Sequence, residues 1–103
     1  METQLRIYTV AAGHQDDFLR AWLTGVLPLR RAFRFEVDAW TQVHNDDRFI
    51  WLIRYGGPDS FAETDARYYA SRERAELDPD PAQWVVDSET YDLTEVGVPP
   101  TDG

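Results

Sequence analysis

The chain has 103 residues, enough for one hydrophobic core and too few for two. Apolar residues make up 43% of it and aromatic residues 14%, which excludes an intrinsically disordered chain. The formal net charge of −9 repels phosphate backbones and anionic lipid headgroups, so nucleic acid and membrane surfaces are excluded as partners. Cysteine is absent and no apolar run is long enough to span a membrane, so we expect a soluble cytoplasmic protein without disulfides.

The first predicted elements are a strand and a long helix. Residues 5–10 alternate in the period-two pattern of a half-buried strand, which Gly13 ends. Two aspartates then favour a helix start before six apolar residues at helical spacing: Phe18, Leu19, Trp22, Leu23, Val26 and Leu27. Pro28 lies inside this pattern, and its ring collides with the carbonyl of Thr24, so we expect the helix to kink or restart near Gly25.

The rest of the chain predicts a hairpin, a second helix and a last strand. The predicted bounds are strands over residues 35–44, 48–55 and 84–93 and a helix over residues 61–76. Residues 45–47 supply turn chemistry, Ser60 with Glu63 has capping-box spacing, and residues 78–81 cannot continue a helix. We divide the chain into one domain over residues 1–96 and a flexible tail over residues 97–103.

The predicted order β-α-β-β-α-β is that of a ferredoxin-like α+β protomer. In this arrangement a four-stranded antiparallel sheet carries both helices on one face. The other face is left uncovered, and four strands with several aromatic residues on that face would expose more apolar surface than a soluble monomer usually tolerates. We therefore expect a homodimer in which a second copy covers this face.

Blocks spread over residues 4–95 resemble NIPSNAP-type domains of the dimeric α/β-barrel superfamily. The blocks are Leu5-Arg6-Ile7-Tyr8-Thr9, Gly13, Phe18, Trp22, Leu27-Pro28-Leu29-Arg30, Ala39-Trp40, Phe49-Ile50-Trp51-Leu52, Tyr68-Tyr69-Ala70-Ser71, Glu73-Arg74 and Leu77-Asp78-Pro79-Asp80-Pro81. The sequence departs from the pattern at Asp38, where a small residue is expected, and in residues 32–35, which lack the usual glycine. The resemblance implies a dimer whose two sheets face each other around a cavity.

The resemblance also implies a range of activities. The superfamily includes cofactor-free monooxygenases of aromatic polyketides, isomerases, cyclases, dehydratases and haem enzymes, whereas NIPSNAP-type members are mostly of undefined function. Our first hypothesis is a cofactor-independent enzyme that oxygenates, cyclises or isomerises a hydrophobic aromatic or polyketide-like metabolite. The alternative is a non-catalytic metabolite-binding protein or dimeric scaffold, and haem binding is a third possibility.

Candidate site residues follow from the alternation of the strands. If Leu5 and Ile7 pack under the helices, Arg6 and Tyr8 face the barrel interior. Arg6 and Tyr8 would then hold a substrate oxyanion. The other predicted site residues are Asp38 and His44 as proton carriers, with Trp40, Trp51, Tyr55, Tyr69 and Glu89 as substrate-binding residues.

Each candidate also has a structural interpretation. Arg6 could pair with Asp38 or Glu89 to neutralise a buried carboxylate, and His44 could be an exposed residue beside the hairpin turn. The two adjacent tyrosines of the second helix cannot face the same way, so one should pack on the sheet. The two histidines are far apart in sequence and begin no ligand-spaced motif, so we predict no metal site.

Overall fold

The computed structural model describes residues 1–101, apart from the side chain of Asp46. Its elements in chain order are β1 (Glu2–Val10), α1 (Gln15–Ala21), a π-helix (Trp22–Val26), α2 (Leu27–Ala32), β2 (Phe35–Gln42), β3 (Asn45–Tyr55), α3 (Phe61–Ala70), α4 (Arg72–Ala75), a 3-10 turn (Pro81–Trp84) and β4 (Val85–Leu93). The strands form one antiparallel sheet in the order β2-β3-β1-β4. This confirms the predicted ferredoxin-like α+β fold. Within residues 1–101, no helix is long and apolar enough to cross a membrane.

The irregularity predicted in the first helix takes the form of a π-helix. The Leu27 N–H donates to the carbonyl of Trp22, five residues earlier, so the turn is wider than an α-helical one. Pro28 follows directly and occupies the first turn of α2, where its missing N–H costs least. The helical path therefore continues from Gln15 to Ala32 without the predicted restart.

Two non-glycine residues with positive φ set the ends of β2. Arg34, with φ of 69°, takes the left-handed position after α2 that glycine usually fills. His44, with φ of 65°, forms the hairpin turn with Val43, so the turn lies earlier than predicted and β3 already begins at Asn45. His adopts a positive φ more readily than most residues, so the turn can be formed at His44.

The second predicted helix is divided at Ser71. The Ser71 hydroxyl donates to the carbonyl of Tyr68 at 2.6 Å and accepts from the N–H of Arg74 at 3.2 Å. It therefore closes α3 and caps α4, while its own backbone is extended. At the other end of α3, the Ser60 hydroxyl accepts from the N–H of Glu63, as the capping-box spacing predicts.

The side of the sheet that faces the helices carries its largest side chains. Phe49, Trp51, Ile53 and Tyr55 of β3 are all buried there, and Trp51 lies opposite Arg6 of β1 in the register. The expectation that Leu5 and Ile7 pack under the helices is therefore wrong, because Arg6 and Tyr8 occupy that side. Leu5 pairs with Leu52 on the opposite side, which we call the open face.

Candidate functional site

A pocket of about 280 Å³ lies between the sheet and the helices. Its walls are mostly aromatic, and the aromatic lining residues are Tyr8, Phe18, Trp22, Trp51, Tyr68 and Tyr69. Two cations, Arg30 and Arg74, also line it, and Pro81 and Ala82 of the 3-10 turn contribute to its wall. Ser88 of β4 completes the sheet side. Apolar walls with a few converging polar groups are typical of small-molecule sites.

Two arginines converge on one carboxylate beside this pocket. Arg6 Nη2 lies 3.1 Å from Asp65 Oδ2, and Arg30 Nη1 lies 2.6 Å from Asp65 Oδ1. The Tyr69 hydroxyl accepts from Arg6 Nη1 at 2.8 Å and from Arg30 Nη2 at 3.2 Å. The Arg30 side chain is completely buried, and only 8% of the Arg6 side chain is exposed. Asp65 and Tyr69 of α3 thus hold Arg6 and Arg30 side by side, and we call these two arginines the cationic floor.

Aromatic rings stack against both guanidinium groups. The Arg30 guanidinium carbon lies 3.8 Å from the centre of the Tyr68 ring and 4.9 Å from that of Phe35. The Arg6 guanidinium carbon lies 5.5 Å from the Trp51 ring. Such contacts partly replace the water that a buried cation loses. Burial opposes the charge on Arg6, but Tyr69, Tyr8 and Asp65 outweigh it and raise the Arg6 pKa, so the cation persists.

Two phenols of the pocket remain protonated at neutral pH. Burial raises the pKa of Tyr8, with a further contribution from Tyr69, and this outweighs the opposing effect of Arg6. Burial likewise raises the pKa of Tyr68 against the effect of Arg30 and Arg74. Both hydroxyls can therefore donate a hydrogen bond to a ligand.

The second cation of the pocket is held from the 3-10 turn. Arg74 Nη1 donates to Asp80 Oδ2 at 3.0 Å, and the Ala82 N–H donates to Asp80 Oδ1 at 2.9 Å. Burial opposes ionisation of Asp80, but these hydrogen bonds dominate and lower its pKa. The contact ties the turn that carries Pro81 to α4 at the side of the pocket.

Known structures share this architecture at low sequence identity. An uncharacterized NIPSNAP domain protein from Burkholderia xenovorans matches with a TM-score of 0.82 and 18% identity, covering 98% of this chain and 100% of that chain. A NIPSNAP family protein of unknown function from Agrobacterium tumefaciens gives 0.83 and 15%, covering 97% and 92%. The chain has the NIPSNAP-domain fold.

A structure described as an antibiotic biosynthesis monooxygenase also has this fold. It matches with a TM-score of 0.73 and 13% identity, covering 94% of this chain and 100% of that chain. The sequence itself matches no protein-family profile and no curated protein. The NIPSNAP resemblance is therefore confirmed at the level of the fold, and these identities say nothing further about activity.

The NIPSNAP-type fold brings some of the predicted site residues together in the pocket. Tyr8, Trp51 and Tyr69 line it, and Arg6 stands directly behind Tyr69. The partner of Arg6 is Asp65, so the predicted pairing with Asp38 or Glu89 is wrong. Of the two adjacent tyrosines on α3, Tyr68 is buried on the sheet side and Tyr69 is half-exposed. The roles assigned to these residues stay predictions.

The other predicted site residues lie elsewhere. Asp38 pairs with Arg54 and Glu89 with Arg48 on the open face, where Trp40 is also half-exposed. His44 is exposed at the hairpin turn. Tyr55 is buried in the core against Phe35. A common site joining Arg6 and Tyr8 with Asp38 and Trp40 is therefore excluded within one protomer, because the two pairs occupy opposite sides of the sheet.

Three charged residues of the site were not predicted, namely Arg30, Asp65 and Arg74. Arg30 continues a four-residue spacing through Phe18, Trp22 and Val26, which could have indicated that it faces the core. Asp65 carries no comparable signal, because its partners Arg6 and Arg30 are set by tertiary packing, whereas the partner of Arg74 is Asp80, six residues later. Among the side chains that the structure describes, no three of His, Cys, Asp or Glu are close enough to hold a metal ion.

Proposed function

We propose that this protein binds a hydrophobic aromatic small molecule in the pocket between sheet and helices. The observation that carries the proposal is the aromatic lining of a volume of about 280 Å³, close to the lower limit of known ligand sites. Tyr8 and Tyr68 supply hydrogen-bond donors, and Trp22 and Trp51 supply flat apolar walls. A metabolite with two or three fused rings fits this chemistry.

We further propose that binding serves a cofactor-independent oxygenation, cyclisation or isomerisation. These reactions develop negative charge on an oxygen of the substrate, which Arg30 and the Tyr68 hydroxyl, both of residues that line the pocket, would stabilise. The solved antibiotic biosynthesis monooxygenase with this fold supports the reaction class by analogy only. The alternative remains a metabolite-binding or scaffold protein without turnover.

Binding can be tested by filling the pocket. Ser88 lines it from β4 and has a small side chain, so Ser88→Trp should place an indole inside the cavity. With the neutral probe 2-naphthamide, calorimetry should show binding to the wild type and at least a tenfold loss in Ser88→Trp, a change of about 1.4 kcal/mol, because the indole would occupy the space of the probe. Glu73→Trp, on the exposed side of α4, is the control and should bind normally. Equal affinity in all three proteins would place binding outside this pocket.

Turnover needs a separate measurement. Oxygen uptake with 1,3-dihydroxynaphthalene should exceed the rate of autoxidation without protein and should fall to that rate in Ser88→Trp. If the probe binds but no oxygen is consumed and no product forms, the scaffold or binding alternative is favoured over an oxygenase. The roles predicted for Asp38 and His44 in proton transfer are not supported by their positions, since neither lines this pocket.

Haem does not fit the site. A volume of about 280 Å³ is small for a four-pyrrole macrocycle, and the Tyr69 hydroxyl already accepts two guanidinium hydrogen bonds. Addition of haem to the purified protein should therefore produce no shifted Soret band. A stoichiometric Soret shift that Tyr68→Phe abolishes would contradict this.

The predicted homodimer rests on the open face of the sheet. Leu5, Ile7, Ile50 and Leu52 form an apolar strip across its two central strands. The ion pairs Arg48–Glu89 and Arg54–Asp38 lie on the same face. A second copy would cover the strip and keep the charged groups at the rim. Analytical ultracentrifugation should give a dimer that Ile50→Lys converts to a monomer. A monomeric wild type would contradict the proposal.

A further inference from the structure

The buried arginine pair beside the pocket carries more positive charge than it has counter-ions. Arg6 and Arg30 both pair with Asp65, which is the one carboxylate within ion-pair distance of either among the side chains of residues 1–101 that the structure describes. Tyr69 also accepts a hydrogen bond from each arginine, through its phenol oxygen. Buried charges in proteins are normally paired, so one positive charge at this position requires an explanation.

Several buried hydrogen-bond donors of residues that line the pocket have no partner among the residues that the structure describes. Five buried side-chain atoms of pocket-lining residues lack a hydrogen-bond partner in the described part of the chain, namely Trp22 Nε1, Arg30 Nε, Trp51 Nε1, Tyr68 OH and Arg74 Nε. Four of the five are N–H groups that can only donate. More than nine-tenths of buried polar groups in folded proteins have a protein or water partner, so five exceptions around one pocket call for acceptors supplied by water or by a ligand.

Four of these five donors belong to residues that contact each other in a chain. The Arg30 guanidinium lies 3.8 Å from the centre of the Tyr68 ring and 5.4 Å from that of Trp51. The Trp51 and Trp22 rings are 5.5 Å apart, centre to centre. Trp22, Arg30, Trp51 and Tyr68 therefore form one cluster, in which the guanidinium of Arg30 supplies the charge and the indoles supply flat surface.

We propose that the ligand of this pocket is an aromatic oxyanion, a carboxylate, phenolate or enolate conjugated with a ring system. The anionic oxygen takes its charge-assisted hydrogen bonds from Arg30 Nε and Tyr68 OH, and the ring lies against Trp22 and Trp51. The proposal rests on the binding function argued above and specifies its ligand. An aromatic anion suits these walls better than phosphate, because a delocalised charge is weakly hydrated and its ring buries apolar surface.

The first experiment compares matched probes. Calorimetry at pH 7 measures the affinity of 2-naphthoate, of its neutral isostere 2-naphthamide and of inorganic phosphate. A hydrogen bond to a charged group is stronger than one to a neutral group, so 2-naphthoate should bind at least about tenfold more tightly than the amide. Phosphate should neither bind nor displace 2-naphthoate.

Each other outcome overturns the proposal in a distinct way. Equal binding of acid and amide would exclude an anion site while leaving the aromatic pocket intact. Phosphate that displaces 2-naphthoate would indicate a general anion site. If neither naphthalene probe binds, the binding function itself fails together with its ligand class.

Two variants test whether Arg30 and Tyr68 bind the carboxylate of 2-naphthoate. Arg30→Met leaves Arg6 and Asp65 balanced one to one, so the preference for 2-naphthoate over 2-naphthamide should fall below about twofold, because the excess charge is gone. Tyr68→Phe removes a hydroxyl without a partner and should weaken 2-naphthoate about three- to tenfold. It also keeps the test decisive if Arg30→Met does not fold.

The matched control is a surface arginine on the same helix as Tyr68. Arg67 pairs with Asp59, and both side chains are about half exposed. Arg67→Met should leave both affinities unchanged. If Arg67→Met weakens 2-naphthoate as much as Arg30→Met does, the preference reflects overall charge and the proposed site is wrong.

Discussion

Asp65→Asn tests the arrangement of the cationic floor most directly. The substitution keeps the shape and one acceptor oxygen of the side chain, but removes the carboxylate shared by Arg6 and Arg30. Breaking a fully buried ion pair costs about 3–5 kcal/mol, because the remaining charge is left without a partner. The Asp65 side chain is 21% exposed, so water can reach it and we reduce the expected cost to about 2–3 kcal/mol.

Chemical denaturation at a fixed protein concentration measures this cost. For a domain of this size, about 2–3 kcal/mol corresponds to a fall in Tm of roughly 10–15 °C. Asp59→Asn removes an exposed carboxylate from a pair with Arg67 and should cost at most about 1 kcal/mol. The refuting result is an Asp65→Asn protein within about 0.5 kcal/mol of the wild type, or no more affected than Asp59→Asn.

The same variant links stability to the proposed ligand. Without the Asp65 carboxylate, two buried guanidinium groups remain uncompensated, so an anion that binds beside them should bind more tightly. A ligand at 100 times its Kd stabilises a protein by about 2.7 kcal/mol. At one fixed concentration, 2-naphthoate should therefore raise the Tm of Asp65→Asn by more than that of the wild type, whereas 2-naphthamide should not distinguish the two.

Three further predictions concern local structure. Arg34→Gly should stabilise the protein by about 0.5–1 kcal/mol in urea denaturation, since glycine adopts the φ of 69° without strain, and a loss of stability would refute this. Ser71→Ala should cost about 1 kcal/mol through the lost cap of α4, and an unchanged urea midpoint would show the cap to be irrelevant. Asp80→Asn should cost up to about 1 kcal/mol at pH 7, because Asp80 is 43% exposed. Because folding lowers the pKa of Asp80, the stability difference between Asp80→Asn and the wild type should persist at pH values above 3.8, the ordinary pKa of the side chain. It should vanish as the pH falls through the folded-state pKa. A stability difference that does not change with pH would contradict the ion pair with Arg74.

The order of the elements could be predicted because each has a local signal. The alternation of residues 5–10, the capping residue Ser60 and the helical spacing after Gly13 depend on neighbouring residues alone. The same alternation also placed Arg6 and Tyr8 on one side of the strand and Leu5 and Ile7 on the other. These local features were enough to predict the order of the helices and strands.

The identity of the buried side could not be read from the strand itself. Both sides of β1 contain residues that can be buried, and the assumption that the aliphatic side faces the helices failed. Arg6 can face the helices only because Asp65 and Tyr69, which lie 59 and 63 positions later, satisfy its guanidinium. Such long-range pairing leaves no trace in a local pattern, and for the same reason Asp65 could not be predicted as a site residue.

The π-helix has a consequence for how this site tolerates changes in chain length. Phe18, Trp22, Val26 and Arg30 all line the pocket at intervals of four residues, although an α-helix advances about 100° per residue and would displace each by about 40° from the last. Over three intervals the angular drift reaches about 120°, which the wider turn at residues 22–26 partly cancels. Deleting the exposed Thr24 would let the wide turn close with α-helical hydrogen bonds, which absorbs most of the rotation of about 100° that the loss of one residue causes in a regular α-helix, so Arg30 would still face the pocket. The position of Arg30 in the pocket therefore depends on the phase of the helix as well as on the residue itself.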